Sequence, residues 1–479
     1  MLQLHVAACS RIRRVLAISS LALLSGVLAV TSVRPGCAQD RRTSSMSAAD
    51  QLTLQRALDA YDAGDFHAAE PMLFGLVKRY PDSFEANEAL GSLYAETADL
   101  ALAVRYLRHA CTLAPGQAIS HANLGAVYLK LKRNQEAASE LRTASKLDGR
   151  NSSVQSNLGR ALMLIAQPAE AAKAFAAAVT LQPDNGELRY NLALALFDSG
   201  AIAQAGDAFR QIPAQPASDQ TEALGGDISE KLGVYHQAVL HYQAAAQLNP
   251  SDSNLYALAV EFLRHWTWDE AAKIASYGTS RYPKSTHFRL AEGIAHYGSG
   301  RYSESASIFS SLLAQDPDSV LYADLLGRSC GLIAEDSNSG CMGLKDFAYR
   351  HPKNARAAVY AATSILHRPA AEQDTGEVAK LLNQAIAVDP RLAEAYFQMA
   401  VLEQSRLQWK ESAENLRKSI ELQPSYPEAH YRLSRAFAHM GMRDEAQQQM
   451  ALQQKYSQQE KEQVNAHLQE VVTFLLQSN

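Results

Sequence analysis

The chain has 479 residues, with 50 Asp and Glu against 45 Lys and Arg, for a formal net charge of −5. Charges of both signs are interspersed, and no Lys/Arg run able to track a phosphate backbone is present, which argues against a nucleic-acid partner. Five cysteines in so long a chain exclude a fold held by a disulfide framework.

The amino-terminal segment reads as a leader. Arg11, Arg13 and Arg14 precede an apolar run from Val15 to Val30, and Gly36, Cys37 and Ala38 supply a small-residue cleavage site. This is the composition of a secretory signal peptide over residues 1–38, so the chain is expected to be exported, periplasmic or secreted. Left uncleaved, Val15 to Val33 is just long enough to serve as an N-terminal membrane anchor. Lipidation at Cys37 is a third route, for which Arg34 and Pro35 make a poor context. Removal of residues 1–38 takes away four Arg and no acid, leaving 41 basic and 50 acidic residues, a net −9 and no membrane span. Residues 39–51 are expected to be a short disordered segment.

Beyond the leader the sequence repeats itself every 34 residues. Leu90, Gly91, Tyr94, Ala103, Leu107, Ala110 and Pro115 fall at fixed offsets. Leu124, Gly125, Tyr128, Ala137, Leu141 and Ala144 repeat them, as do Leu158, Gly159, Leu162, Ala171, Phe175, Ala178 and Pro183. Leu124, Gly125 and Tyr128 share one stripe of a first helix, and Ala137, Leu141 and Ala144 form the matching stripe of a second. Small residues at Gly125 and Ala137 let the two axes approach closely. Pro115, Pro183, Pro250, Pro317, Pro390 and Pro424 lack the amide hydrogen that a continuing helix needs, so each ends one unit.

This pattern resembles the tetratricopeptide repeat, a helix-turn-helix unit of that length. The resemblance implies an all-α fold, a right-handed α-solenoid of about twelve helix hairpins with a carboxyl-terminal capping helix. Residues 52–250 carry six well-matched repeats, 251–390 four degenerate ones (repeats 7–10), and 391–456 the last two. Residues 457–479, with Val464, His467, Leu468, Val471 and Leu475 on one stripe, read as the cap. No room remains for a catalytic domain. Three stretches break the register: 211–220 with its two prolines, the turn at Asp336 to Ser339, and 367–376, which lengthens a turn.

The search for chemistry returns little. No HExxH, GxSxG, phosphate loop or CxxC is present, and the 14 His are not paired at metal-ligand spacing, so no enzyme, cofactor or metal is expected. Cys111 is expected to be buried between helices. Cys330 and Cys341 flank the irregular turn of the weakest repeat, and form a candidate disulfide in an oxidising compartment or, otherwise, two small apolar side chains in a helical interface.

The resemblance also implies that first helices line a concave face. There Asn123, Asn157 and Asn191 occupy one position in three consecutive repeats, an amide ladder able to hold the backbone of an extended peptide or, equally, a residue type common at that place. Phe397 and Tyr431 match in adjacent repeats, with Arg435 one turn beyond, and are candidate interface anchors or packing residues. Trp268 and Trp409 fall at a turn position shared with Phe66, Tyr235 and Tyr302. Trp266 has no counterpart there. The expected function is a non-enzymatic scaffold binding a peptide or protein in the concave groove. The alternative is an accessory subunit of an envelope glycosyltransferase or protease whose catalysis lies on another chain. Oligomeric state leaves no mark in the sequence.

Overall fold

The computed structural model describes residues 46–214, 218–333, 339–368 and 374–478. The leader, its cleavage site and Cys37 lie outside the described residues, as do Asp336 to Asn338. Twenty-four α-helices and one short 3-10 turn make up the described chain, with no strand among the described residues. They divide into two compact units that meet in sequence between Gly233 and Val234.

The first unit holds five helix pairs and one further helix. The pairs are α1 (Ala48–Asp62) with α2 (Phe66–Arg79), α3 (Phe84–Glu96) with α4 (Leu100–Leu113), α5 (Ala118–Lys130) with α6 (Asn134–Leu147), α7 (Ser152–Leu164) with α8 (Pro168–Leu181), and α9 (Gly186–Asp198) with α10 (Ile202–Arg210), followed by α11 (Asp219–Leu232). The second unit opens on α12 (Tyr235–Leu248). Six pairs follow: α13 (Asp252–Arg264) and α14 (Trp268–Arg281), α15 (Thr286–Gly298) and α16 (Tyr302–Gln315), α17 (Val320–Cys330) and α18 (Gly343–Arg350), α19 (Ala355–Leu366) and α20 (Thr375–Val388), α21 (Ala393–Ser405) and α22 (Trp409–Leu422), α23 (Pro427–His439) and α24 (Arg443–Ser478).

Each unit is an α-solenoid, and three local rules build it. Most second helices stop two residues before a proline, as Leu113 does before Pro115 and Leu181 before Pro183, whereas α6 ends at Leu147 without one. The turn inside a pair passes through one left-handed residue, at Gly64, Ala98, Lys132, Ala166, Gly200, Trp266, Gly300, Leu407 and Gly441 among others. Trp266, with φ 59°, shares this left-handed geometry with residues that are not aromatic, among them Ala98, Lys132 and Leu407. It is a turn residue, 39% exposed, its ring 5.8 Å from that of Trp268. The third rule concerns the fourth residue of a first helix, whose polar side chain reaches back to a carbonyl six residues earlier. Asn87 bonds Pro81, Gln155 bonds Gly149 and Arg189 bonds Pro183 in this way. His121 does so with Pro115, Tyr396 with Pro390 and His430 with Pro424. Each bond satisfies a linker carbonyl that no helix can reach.

Within a pair, close approach depends on the missing side chain of the first helix. A Cβ on Gly125 would lie 2.6 Å from Leu141 Cγ, and one on Gly91 2.7 Å from Leu107 Cγ. On Gly159 it would meet Phe175 at 2.7 Å, and on Gly293 Phe309 at 2.6 Å. Leu107, Leu141 and Phe309 are fully buried in these slots. Successive first helices touch one another, α1 with α3, α3 with α5 and α5 with α7, then α13 with α15 and α19 with α21. Among the described residues of the first unit, successive second helices make no comparable contact. Helices on the inside of a bend converge and those outside splay, so the first helices form the concave face of each unit.

Two expected boundaries move. Helix α1 begins at Ala48, where the Ser47 hydroxyl accepts from the Asp50 amide, so the end of the segment expected to be disordered is helical. No break separates the twelfth repeat from the cap: α24 runs unbroken for 36 residues and also touches α12. Nothing in the sequence between Tyr456 and Ser457 stops a helix, because neither Gly nor Pro occurs there. The irregular stretches do shorten their helices, α10 to 9 residues and α18 to 8.

Replacement of Gly125 by Val forces a Cβ and two methyl carbons into the Leu141 slot. The expected cost is about 2 kcal/mol, read as a lower urea midpoint by circular dichroism, with the helical content of the folded state unchanged.

Candidate binding surfaces on the first helices

In the first unit the three asparagines share a helix offset but not a role. Asn123 donates to Glu88 Oε1 at 2.7 Å and to Ser92 Oγ at 3.0 Å, so its amide is spent inside the protein. Asn157 is half-buried. Asn191 is 2% exposed, and its Nδ2 finds no partner among the described residues. The row is therefore not a uniform ladder.

Glu88 organises this face, and sequence reading missed it. It lies in Ala86 to Ala95, a run buried throughout. A charged residue inside such a run of Ala, Leu, Gly and Tyr was the available signal. Hydroxyl groups of Ser92 and Ser120 donate to its carboxylate together with Asn123. Burial dominates these donors and raises the Glu88 carboxyl above its ordinary range.

Nearby, Cys111, His121 and Glu140 bring ligand-type atoms within 4.8 Å of one another, although their spacing in sequence shows no motif. Burial pushes the Cys111 thiol up to about 12, so it is no reactive nucleophile.

In the second unit a cavity of about 220 Å³ opens across four successive first helices, α15, α17, α19 and α21. Tyr297, Arg328, Arg356, Tyr360, Thr363 and Gln398 line it. Tyr360 lies over α17 because Gly327 has no side chain; a Cβ there would sit 2.2 Å from its ring. The Tyr360 hydroxyl and the Arg328 guanidinium both donate to Asp324 at 2.8 Å, which fixes the floor. Arg356 is exposed at the rim. Degenerate spacing hid this site, since the repeat that forms it departs most from the motif.

Cys330 and Cys341 are joined in a disulfide, with Cα atoms 6.1 Å apart, both sulfur-bearing residues being buried. Cys330 immediately precedes Gly331 and Leu332 of the cavity wall, so the bond pins its rim. The aromatic pair farther along splits. Phe397, 8% exposed, is packed 4.8 Å from the Tyr426 ring under the Arg432 guanidinium, and cannot anchor a partner. Tyr431, 45% exposed, and Arg435, also exposed, remain available.

Because the folded chain holds a proton on Glu88 more tightly than the unfolded chain does, stability falls as pH rises from the ordinary carboxyl range toward the raised value. Glu88→Gln is expected to flatten that slope and to raise the melting temperature at pH 7, as checked by melts across pH 4 to 8. Cys330→Ser with Cys341→Ser opens a loop of sequence separation 11. The expected loss is about 3 kcal/mol of protection at α17 and α18, read by amide hydrogen exchange.

The tetratricopeptide repeat model matches residues 54–118, 156–219 and 256–320. No curated protein is matched by the sequence. Among solved structures, the chain is similar to Naa15/Naa10 bound to HypK-THB, with 14% identity, 85% of this chain and 68% of that one covered, and a TM-score of 0.38. It is similar also to Pseudomonas aeruginosa PilF, at 23% identity over 42% of this chain and 93% of that one, TM-score 0.35. YrrB, described as a TPR protein with an unusual peptide-binding site, shows 19% identity over 39% and 96%, TM-score 0.37. Each of the three stretches matched by the family model spans two successive helix pairs of the structure, and on that agreement the chain is a tetratricopeptide repeat protein.

Proposed function

We propose that the chain is a non-enzymatic scaffold, exported from the cytoplasm, that captures an extended segment of a protein or peptide along the concave first-helix face of its second unit. The observation that carries this reading is the cavity spanned by α15, α17, α19 and α21, where Tyr297 and Tyr360 stand beside Arg328 and Arg356. Aromatic and Arg side chains held on rigid helices are the common anchors of interfaces, and a preformed surface loses little conformational entropy on binding. The lining side chains of Arg328 and Tyr360 are already held by Asp324, so the ligand meets a fixed shape. The leader composition and the bonded Cys330 and Cys341 support the exported setting.

The test is capture from the native exported fraction on the immobilised chain, followed by calorimetry with the partner recovered. Arg356→Glu is expected to weaken binding at least about tenfold, near 1.4 kcal/mol. Asn157→Ala, in the first unit, is expected to leave it unchanged. Equal affinity for wild type and Arg356→Glu would sink the groove assignment, and a native chain that keeps residues 1–38 by mass spectrometry would sink cleaved export.

A further inference from the structure

The reach of a first-helix side chain to the preceding linker occurs twice with histidine, and the two copies differ in what surrounds the ring. His430 has Nε2 2.9 Å from the Pro424 carbonyl and Nδ1 2.7 Å from Gln449 Oε1. His121 has Nε2 3.3 Å from the Pro115 carbonyl and Nδ1 2.7 Å from Glu140 Oε2. Gln449 and Glu140 stand at the same offset in α24 and α6. At the offset of Cys111 in α4, helix α22 carries Ile420. In the first copy alone, then, both remaining positions hold metal-ligating groups.

We propose that Cys111, His121 and Glu140 form a binding site for a zinc-class divalent ion that ties α4, α5 and α6 together. The Pro115 carbonyl and the Glu140 carboxylate can only accept, and an Nε2–H kept on the linker carbonyl leaves Nδ1 to ligate an ion beside Glu140. The bond from Nε2 to a backbone carbonyl is also the usual outer support of a metal-bound imidazole. The three ligand atoms lie within 4.8 Å of one another, and tetrahedral zinc holds its ligands about 3.5 Å apart, so shifts of about 1 Å complete the site. A thiolate with an imidazole selects zinc over magnesium or calcium. Cys111 gives up its thiol proton to solvent on binding, and water fills the fourth position.

Cobalt(II), the coloured stand-in for zinc, is titrated into the metal-free full chain with leader cysteines Cys9 and Cys37 replaced by Ser. One ion per chain is expected, with a thiolate-to-cobalt charge-transfer band that zinc displaces. Cys111→Ser is expected to abolish the band. His121→Gln preserves the linker bond in the manner of Gln155, and is expected to weaken zinc binding at least about tenfold while leaving the circular dichroism unchanged. His430→Gln is expected to leave affinity unchanged. The proposal is overturned by the lack of a band in the parent chain, by a band that survives Cys111→Ser, or by equal zinc affinity in His121→Gln. Should His121→Gln fail to fold, Glu140→Gln, which reproduces the His430 and Gln449 pairing, takes its place under the same criteria.

Discussion

Everything in this protein depends on how closely two antiparallel helices can come together. The glycines at 91, 125, 159 and 293 present bare backbone to a Leu or Phe from the partner helix, which fills the space a Cβ would have taken. That contact sets the spacing within a pair, and repetition of the spacing converts sequence period into curvature. The inner layer of first helices is drawn together, and the concave face with its side chains follows from that geometry rather than from any long-range contact. A solenoid has no single core to outgrow, so each unit can lengthen by adding pairs without a large globular interior.

The repeat was legible because its signals are local. Leu124, Gly125 and Tyr128 lie within about one turn of each other, and a proline after most second helices marks their ends without reference to anything distant. Helix lengths, the order of pairs and the shortened α10 and α18 all follow from such neighbours. The sites were legible only in part. Asn123 looks free in the sequence, yet its partner Glu88 lies one repeat earlier, and no motif links the two. Phe397 looks like an anchor until Tyr426 and Arg432 close over it. Trp266 looked exceptional because turn geometry, not side-chain type, is what the left-handed position shares among its members.

The scaffold reuses positions while changing their occupants. At the fourth residue of a first helix, Asn, His, Gln, Arg and Tyr all perform one task, the capture of a linker carbonyl. Once that duty is met by one atom, the rest of the side chain is free to acquire another. In α5 the spare atom is a ring nitrogen, and in α19 and α21 the degenerate spacing leaves room for a cavity. Distinctive side-chain groupings therefore occur both in well-matched copies, as around His121, and where a repeat has drifted, as around Tyr360.

The left-handed turn carries a mechanical consequence. Gly64 and Gly200 adopt it at no steric expense, whereas Ala98, Lys132 and Ala166, three consecutive turns, each hold about 1 kcal/mol of torsional energy. Neighbour-only coupling gives that tension no distant outlet, so the middle of the first unit behaves as a row of loaded springs between two slack ones. Pulled from its ends, the array should yield there first, lengthening pair by pair while the glycine-hinged flanks stay wound.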